Sequence, residues 1–428
     1  MTERRGRVGC HAQSARAVVG VSATLFTKRY LQFRWVMKKL RAKCSLATFR
    51  SYELLVGSSL RAHRQAVPHG LQLSEFSIVG ANLKVGIVDI RKSSPLAVNF
   101  QESLRLIEED PVVEVVYGAI YVPRERLSKH AWPVLYDAQG SVVESTLLHK
   151  DPHGGHAPFD PVSQDMLRAA RRSSDPRPHI YVGDMPKTHF GHFLTEGISR
   201  LWYALLTPSD AVLLYHGPPV ESWPAYARDL VRGLGIEQRL VRFDSVTSVD
   251  RLVVPGPSMI NGYCIHRAHA IPGDLYCTSQ WTQPEPTDMQ SSGTASPLYL
   301  SRRRLLGGNR LVAGEGVLER DLESIGVTII HSQELSLRDQ IDFLRNHDPI
   351  IGAIGSAFHA ALLTGVSRTM IYLAGEHSTP NQVLVDALMG NRSCYARTLS
   401  ETFHGSMTPD RSTLPVLKAI IRGDLEFP

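Results

Sequence analysis

HIYVGDMPKTHFGHFLTEGISRLWYALL, residues 179–206, is the stretch on which the reading of the fold turns. Its opening HIYVG (residues 179–183) is a short apolar run of strand composition, and FLTEGISRLWYALL (residues 193–206) places apolar residues at helical spacing. A strand passing into a helix is half of a βαβ unit. The chain continues in the same way with AVLLYH, a helix near Trp223 to Leu234, QRLVRF and DRLVVPG. Residues 179–256 are therefore expected to form one α/β domain around a parallel sheet.

Outward from there, a second series begins at PLYLSR (residues 297–302) and runs through VTIIH, SLRDQIDFLRNH, PIIGAIG (residues 349–355), FHAALLTG and TMIYLAG (residues 369–375). Ser336 with Asp339 three residues on predicts a capped helix start, and Gly365 a helix end. The two series predict an α/β protein with two Rossmann-like domains, 179–256 and 297–390, facing a cleft across an interdomain segment, 257–296. Upstream, ANLKVGIVDI, VVEVVYGAIYVP and WPVLYDAQGSVVESTLL predict a small strand-rich amino-terminal unit over 65–150. A Pro-, Gly-, His- and Ser-rich connector follows over 151–178. Residues 1–64 read as a basic extension and 391–428 as a carboxy-terminal tail.

The net charge of +6 is unevenly placed: residues 1–64 hold 14 of the 47 Lys and Arg but two of the 41 Asp and Glu. The remainder is acidic, which together with the lack of a recognisable nucleic-acid module argues against a nucleic-acid enzyme. RYLQFRWVMKKLRAK (residues 29–43) suits either peripheral docking of residues 28–43 on an anionic membrane or an amphipathic helix packed on the protein. Nothing reads as a membrane span or a secretory signal, and five scattered cysteines predict neither a disulfide framework nor a zinc site. Cys264 and Cys277 could pair, but isolated buried thiols are the ordinary expectation. A cytoplasmic setting follows, with the inner face of the membrane as the place of any peripheral contact.

Ligands of open α/β sheets bind beyond the carboxyl ends of the strands, and three such ends carry unusual side chains. In GDMPKTHFGHFLTE (residues 183–196), His192 and Glu196 share a helix face, with Arg200 one turn further. A helix amino terminus would keep the imidazole neutral and able to accept a proton from a hydroxyl. Glu196 is the alternative base, or else it fixes the imidazole while pairing with Arg200. Asp184, Lys187 and His189 crowd the same junction, and a purely structural cluster is the competing reading. In SRRRLLGGNR (residues 301–310), Arg302, Arg303 and Arg304 suit bidentate capture of a diphosphate, with Asn309 and two glycines in a permissive loop. A solvated basic turn is the plain alternative. In GAIGSAFHAALLTG (residues 352–365), Gly355 and Ser356 open a helix whose amides could hold phosphate, and His359 lies on its first turn. Close packing of small residues on a sheet explains that run equally well.

The run is neither GxxxxGK[ST] nor GxGxxG, and no HExxH or Asp-x-Asp after a strand is present. No metal and no cofactor are expected, and HGGH (residues 153–156) is not promoted to a zinc site.

In order, FGHFLTE, YLSRRRLLGGNR, ELSLRDQIDFL (residues 334–344) and GAIGSAFHAALL (residues 352–363) resemble glycosyltransferase family 61 over about residues 130–375. FGHFLTE matches the family's Tyr/Phe-x-His-Phe/Trp-Leu-x-Glu element through His192 and Glu196, and Glu315 stands displaced from the family's Asn-Glu position. Ile354 stands where members often have His, and Ala360 where they have Asn, which puts some nucleotide contacts in doubt and makes His359 the nearest replacement. The resemblance implies a GT-B-like arrangement and inverting transfer from a nucleotide sugar to a glycan or lipid-linked glycan, as in bacterial capsular or lipopolysaccharide synthesis. A catalytically silent polysaccharide-binding or scaffold protein on the same fold is the alternative from another class.

Overall fold

Ile180, Tyr181 and Val182 are buried almost completely, as an apolar run in a central parallel strand requires. In the computed structural model they lie on strand His179–Asp184, between Thr247–Pro255 and Val212–His216, both parallel to it. Leu240–Val241 extends this first sheet on one side, and Val113–Tyr121 and Leu135–Tyr136 extend it antiparallel on the other. The structure describes residues 72–78, 81–89, 104–148, 155–187, 189–207, 210–281, 295–305, 311–375, 380–401, 407–409 and 413–422. The extension 1–64, the stretch 28–43 read as either a membrane-docking or a packed amphipathic segment, and Asn309 lie outside these residues.

A separate second sheet runs in the order Gln72–Ile78, Ala81–Asp89, Arg392–Arg397, Thr369–Ala374, Ile350–Ala353, Leu298–Leu300, Thr328–Ile330. All its neighbours are parallel except the first pair. The two strand-helix series thus build two sheets. They share one apolar core, in which Ile180 and Leu213 of the first join Leu298, Ile350 and Tyr372 of the second through Phe358, Leu362 and Tyr276. Gly273 lets backbones approach closely in this core: a Cβ there would lie 1.9 Å from the Leu362 carbonyl oxygen.

Three expectations change. The strands of 65–150 form no unit of their own: Ala81–Asp89 pairs with Arg392–Arg397 in the second sheet, and Val113–Tyr121 with Thr247–Pro255 in the first. Alternation reveals a strand but not its partner, and exposed sheet edges are satisfied by whichever segment reaches them. For the same reason residues 391–428 are no tail, since Arg392–Arg397 is an interior strand. The connector and interdomain segment are also structured, through helices Gln164–Ala169 and Ile271–Gln280.

The third change lies in the opening stretch. One helix over 193–206 is expected; the chain instead makes a short α-turn Phe190–His192, a π-turn Phe193–Gly197 closed by Ile198 N–H to the Phe193 carbonyl at 3.0 Å, and helix Leu201–Leu206. The extra residue in the turn rotates everything beyond it, so Arg200 leaves the His192 face. It is buried against the Tyr181 ring and donates to the carbonyls of Pro255 and Ser145. Elsewhere Ser336 caps its helix as expected, accepting from Asp339 N–H at 3.1 Å, and Gly365 takes a positive φ of 64°. Ser356–Leu363 is a 3₁₀ helix. It is buried on nearly every side, so packing outweighs α propensity in setting its hydrogen bonds. Cys264 and Cys277 are buried thiols with no disulfide between them.

Candidate active site

The π-turn sets the first half of the site. His192 Nδ1 lies 3.0 Å from Glu196 Oε1, with the imidazole side chain 55% exposed and the carboxylate 16% exposed. Asn261 donates its amide to the same Oε1 from the loop after strand Met259–Ile260. A proton on Nδ1 satisfies the carboxylate and leaves the Nε2 lone pair outward. This hydrogen bond raises the His192 pKa above its ordinary value against the opposing effect of burial. The expected lowering by a helix dipole is therefore corrected: a three-residue α-turn sums too few peptide dipoles to compete with an adjacent carboxylate. His189 stacks edge-on against His192 at 5.3 Å, and burial lowers its pKa.

Asp184 ends strand His179–Asp184, and its carboxylate meets Lys187 Nζ at 2.8 Å and Arg124 at 3.6 Å. Lys187 is itself only 10% exposed, and its ammonium lies 3.5 Å from the centre of the Trp132 ring. Burial lowers its pKa while Asp184 pulls the other way. Asp184, Lys187, Glu196, Asn261 and Trp132 line one cavity. Neither Trp132 nor Asn261 was legible as a site residue: Trp132 lies in a strand-rich run far upstream, and Asn261-Gly262 signals only a turn.

At the second sheet the three arginines diverge. Arg302 aims at the strand end, with Nη1 3.3 Å from the Ile354 carbonyl and 3.2 Å from where a Gly355 Cβ would be. Arg303 pairs with Glu319 at 3.0 Å and Arg304 with Glu334 at 2.7 Å, both partly in solvent. The three arginines therefore do not form one cluster: nearby acids draw Arg303 and Arg304 aside, while Arg302 stays at the strand end. Glu315 secures this turn from the interior, accepting from Arg302 N–H at 3.0 Å and Tyr299 O–H at 2.9 Å. Its burial raises its own pKa.

His359 is 7% exposed, and neither ring nitrogen makes a well-aligned hydrogen bond among the described residues, although the Gly191 backbone and the Gln382 side chain lie close enough to raise its pKa against burial. Burial lowers its pKa to about 4, so it is neutral near pH 7. Ile354 and Ala360, the two departures from the family pattern, are buried in the shared core. Beside them Gln382 donates to the Gly355 carbonyl at 3.1 Å and keeps a buried, unpartnered Oε1.

The two strand ends meet at Gly191. A Cβ there would fall 2.8 Å from Ser356 Cβ and 2.9 Å from His359 Nδ1. The structure thus brings His192, His189, Ser356 and His359 into one neighbourhood, and the charge of Arg302 reaches His189 there. Arg303 and Arg304 turn away from it. Among the described residues no group of three or more His, Cys, Asp or Glu side chains could hold a metal ion, and no helix is long and apolar enough to cross a membrane.

An imidazole backed by a carboxylate, facing an unsatisfied buried imidazole and an arginine, can take a proton on one side and receive an anion on the other. No curated protein matches the chain. Residues 190–371, which run from Phe190 of FGHFLTE past the Gly355 turn, match the family model Glycosyltransferase 61. The match indicates glycosyltransferase family 61 for residues 190–371, and with it glycosyl transfer as the class of activity.

Proposed function

We propose that the chain is an inverting hexosyl- or pentosyltransferase of bacterial surface polysaccharide synthesis, moving a sugar from a nucleotide sugar onto a glycan or lipid-linked glycan. The first sheet serves the acceptor and the second the nucleotide, as the halves of a GT-B-like enzyme. His192 Nε2 takes the acceptor hydroxyl proton while Glu196 stabilises the imidazolium through Nδ1. The hydroxyl oxygen attacks the anomeric carbon as the bond to the diphosphate breaks, with no covalent enzyme intermediate. Arg302, helped by Gly355, Ser356 and His359, receives the charge that builds on the leaving oxygen.

The observation that carries this reading is the pairing of His192 Nδ1 with Glu196 at 3.0 Å in a half-exposed ring whose neighbour Gly191 abuts His359. Calorimetry of the full chain against a nucleotide-sugar panel, followed by product analysis with saccharide acceptors, tests it. Binding of at least one nucleotide sugar and transfer from it are expected. Failure to bind any would overturn the reading, and donor binding without transfer to any acceptor would favour the silent scaffold. An arginine serving where a cation otherwise would also leads us to expect turnover to survive exhaustive chelation. Strict restoration by magnesium or manganese would refute that part.

A further inference from the structure

The cavity beside Glu196 holds chemistry that proton transfer at His192 does not use. Two carboxylates, Asp184 and Glu196, and two cations, Lys187 and Arg200, line it, and Arg124 approaches Asp184 at 3.6 Å from outside the lining. Lys187 is engaged by Asp184 and the Trp132 ring, and Arg200 by two backbone carbonyls. With both cations committed, an entering phosphate or carboxylate would be desolvated without a matching charge.

What the lining offers instead is acceptor oxygen. Asn261 gives its NH₂ to Glu196, because the reverse orientation would set two acceptors against each other, and so presents Oδ1, which is buried and without a hydrogen-bond partner. Leu148, Met259 and Ile260 form an apolar wall of the same cavity. Hydroxyl donors toward the acceptor oxygens and C–H groups toward the apolar wall describe a neutral sugar ring. Glu196 Oε1 joins this cavity to the base, since it meets both Asn261 and His192.

We propose that this cavity seats a neutral sugar ring of the acceptor, oriented by Asn261, and excludes acidic sugars. The proposal rests on the reading of His192 as the base. It is tested by saturation-transfer NMR of the full chain with methyl glycosides of glucose, galactose, mannose and xylose, and with methyl glucuronoside. At least one neutral glycoside should bind in preference to the glucuronoside. Asn261→Ala should weaken that binding and raise the acceptor KM roughly tenfold, the worth of one hydrogen bond. Nucleotide-sugar binding should stay within about twofold, because Asn261 lines the cavity on the first sheet. Ile260→Phe, which fills the cavity from its apolar side, should reproduce the KM effect and guards against a folding failure of the first variant. No neutral glycoside bound by the parent, preference for the glucuronoside, or a fall in kcat with KM unchanged would each overturn the proposal. Loss of nucleotide-sugar binding by the parent bears instead on the wider reading, because glycoside binding is measured without donor.

Discussion

Beyond strand His179–Asp184 the polar side chains answer one another: Lys187 with Asp184, His192 with Glu196, Glu196 with Asn261. Beyond strand Ile350–Ala353 the interior is left wanting, with both nitrogens of His359 and Oε1 of Gln382 buried and without a well-aligned hydrogen bond among the described residues. A buried polar atom without a partner costs about 1–3 kcal/mol, so a protein that retains several in one place gains when something else supplies the bonds. The first region keeps one such atom, Asn261 Oδ1, beside its completed pairs, whereas the second gathers three on His359 and Gln382.

The sharpest way to break this comparison is His192→Ala. Transfer should fall roughly 10²–10⁴-fold while donor binding by calorimetry stays nearly intact, since a general base acts on the acceptor. A variant transferring at the parent rate would eliminate the catalytic histidine.

Arg302→Ala should fail differently, weakening donor binding and also slowing transfer by about 2–4 kcal/mol in transition-state free energy, the effect of one lost charge-stabilising donor. Unchanged donor binding would detach Arg302 from the phosphate side. Gly191→Ala tests the seam between the regions, because the added methyl group enters the 2.8 Å gap to Ser356. Denaturant titration should show a loss of about 1–3 kcal/mol, and a neutral result would mean that the seam relaxes.

Glu196→Gln sharpens the first region alone. Glu196 raises the His192 pKa, so removing its charge lowers that pKa and the acid limb of the rate profile moves to lower pH. A limb that stays in place would transfer the base role away from His192.

The smallest effect belongs to His359. Its folded-state pKa of about 4 lies below the ordinary 6.5, so the unfolded chain binds more protons between these values and stability falls as pH drops from 6.5 toward 4. Buried His216 and His269, also near 4, act in the same direction. His359→Leu should flatten the pH dependence of the unfolding midpoint across that window and hold stability near the parent value at pH 7, while weakening donor binding. An unchanged slope would remove His359 from the linkage.

Two strand-helix series, the Ser336 cap, the break at Gly365 and the pairing of His192 with Glu196 were legible because each rests on neighbours within a few residues. Apolar spacing reports the face a segment buries, and short-range pairs need only one turn of backbone. Local rules fell short at the π-turn, where one extra residue sent Arg200 into the first sheet's core, and at the arginines, which Glu319 and Glu334 parted.

The sequence by itself determined the order of strands and helices, the strand ends at which polar side chains gather, and the family pattern across residues 190–371. Tertiary structure alone decided that Ala81–Asp89 and Arg392–Arg397 lie side by side, that Gly191 abuts His359, and that Trp132 and Asn261 close a cavity on Glu196. Each of these joins residues far apart in the chain, and such contacts form because buried backbone, apolar surface and polar atoms must find partners somewhere in the fold, a condition that no local spacing records.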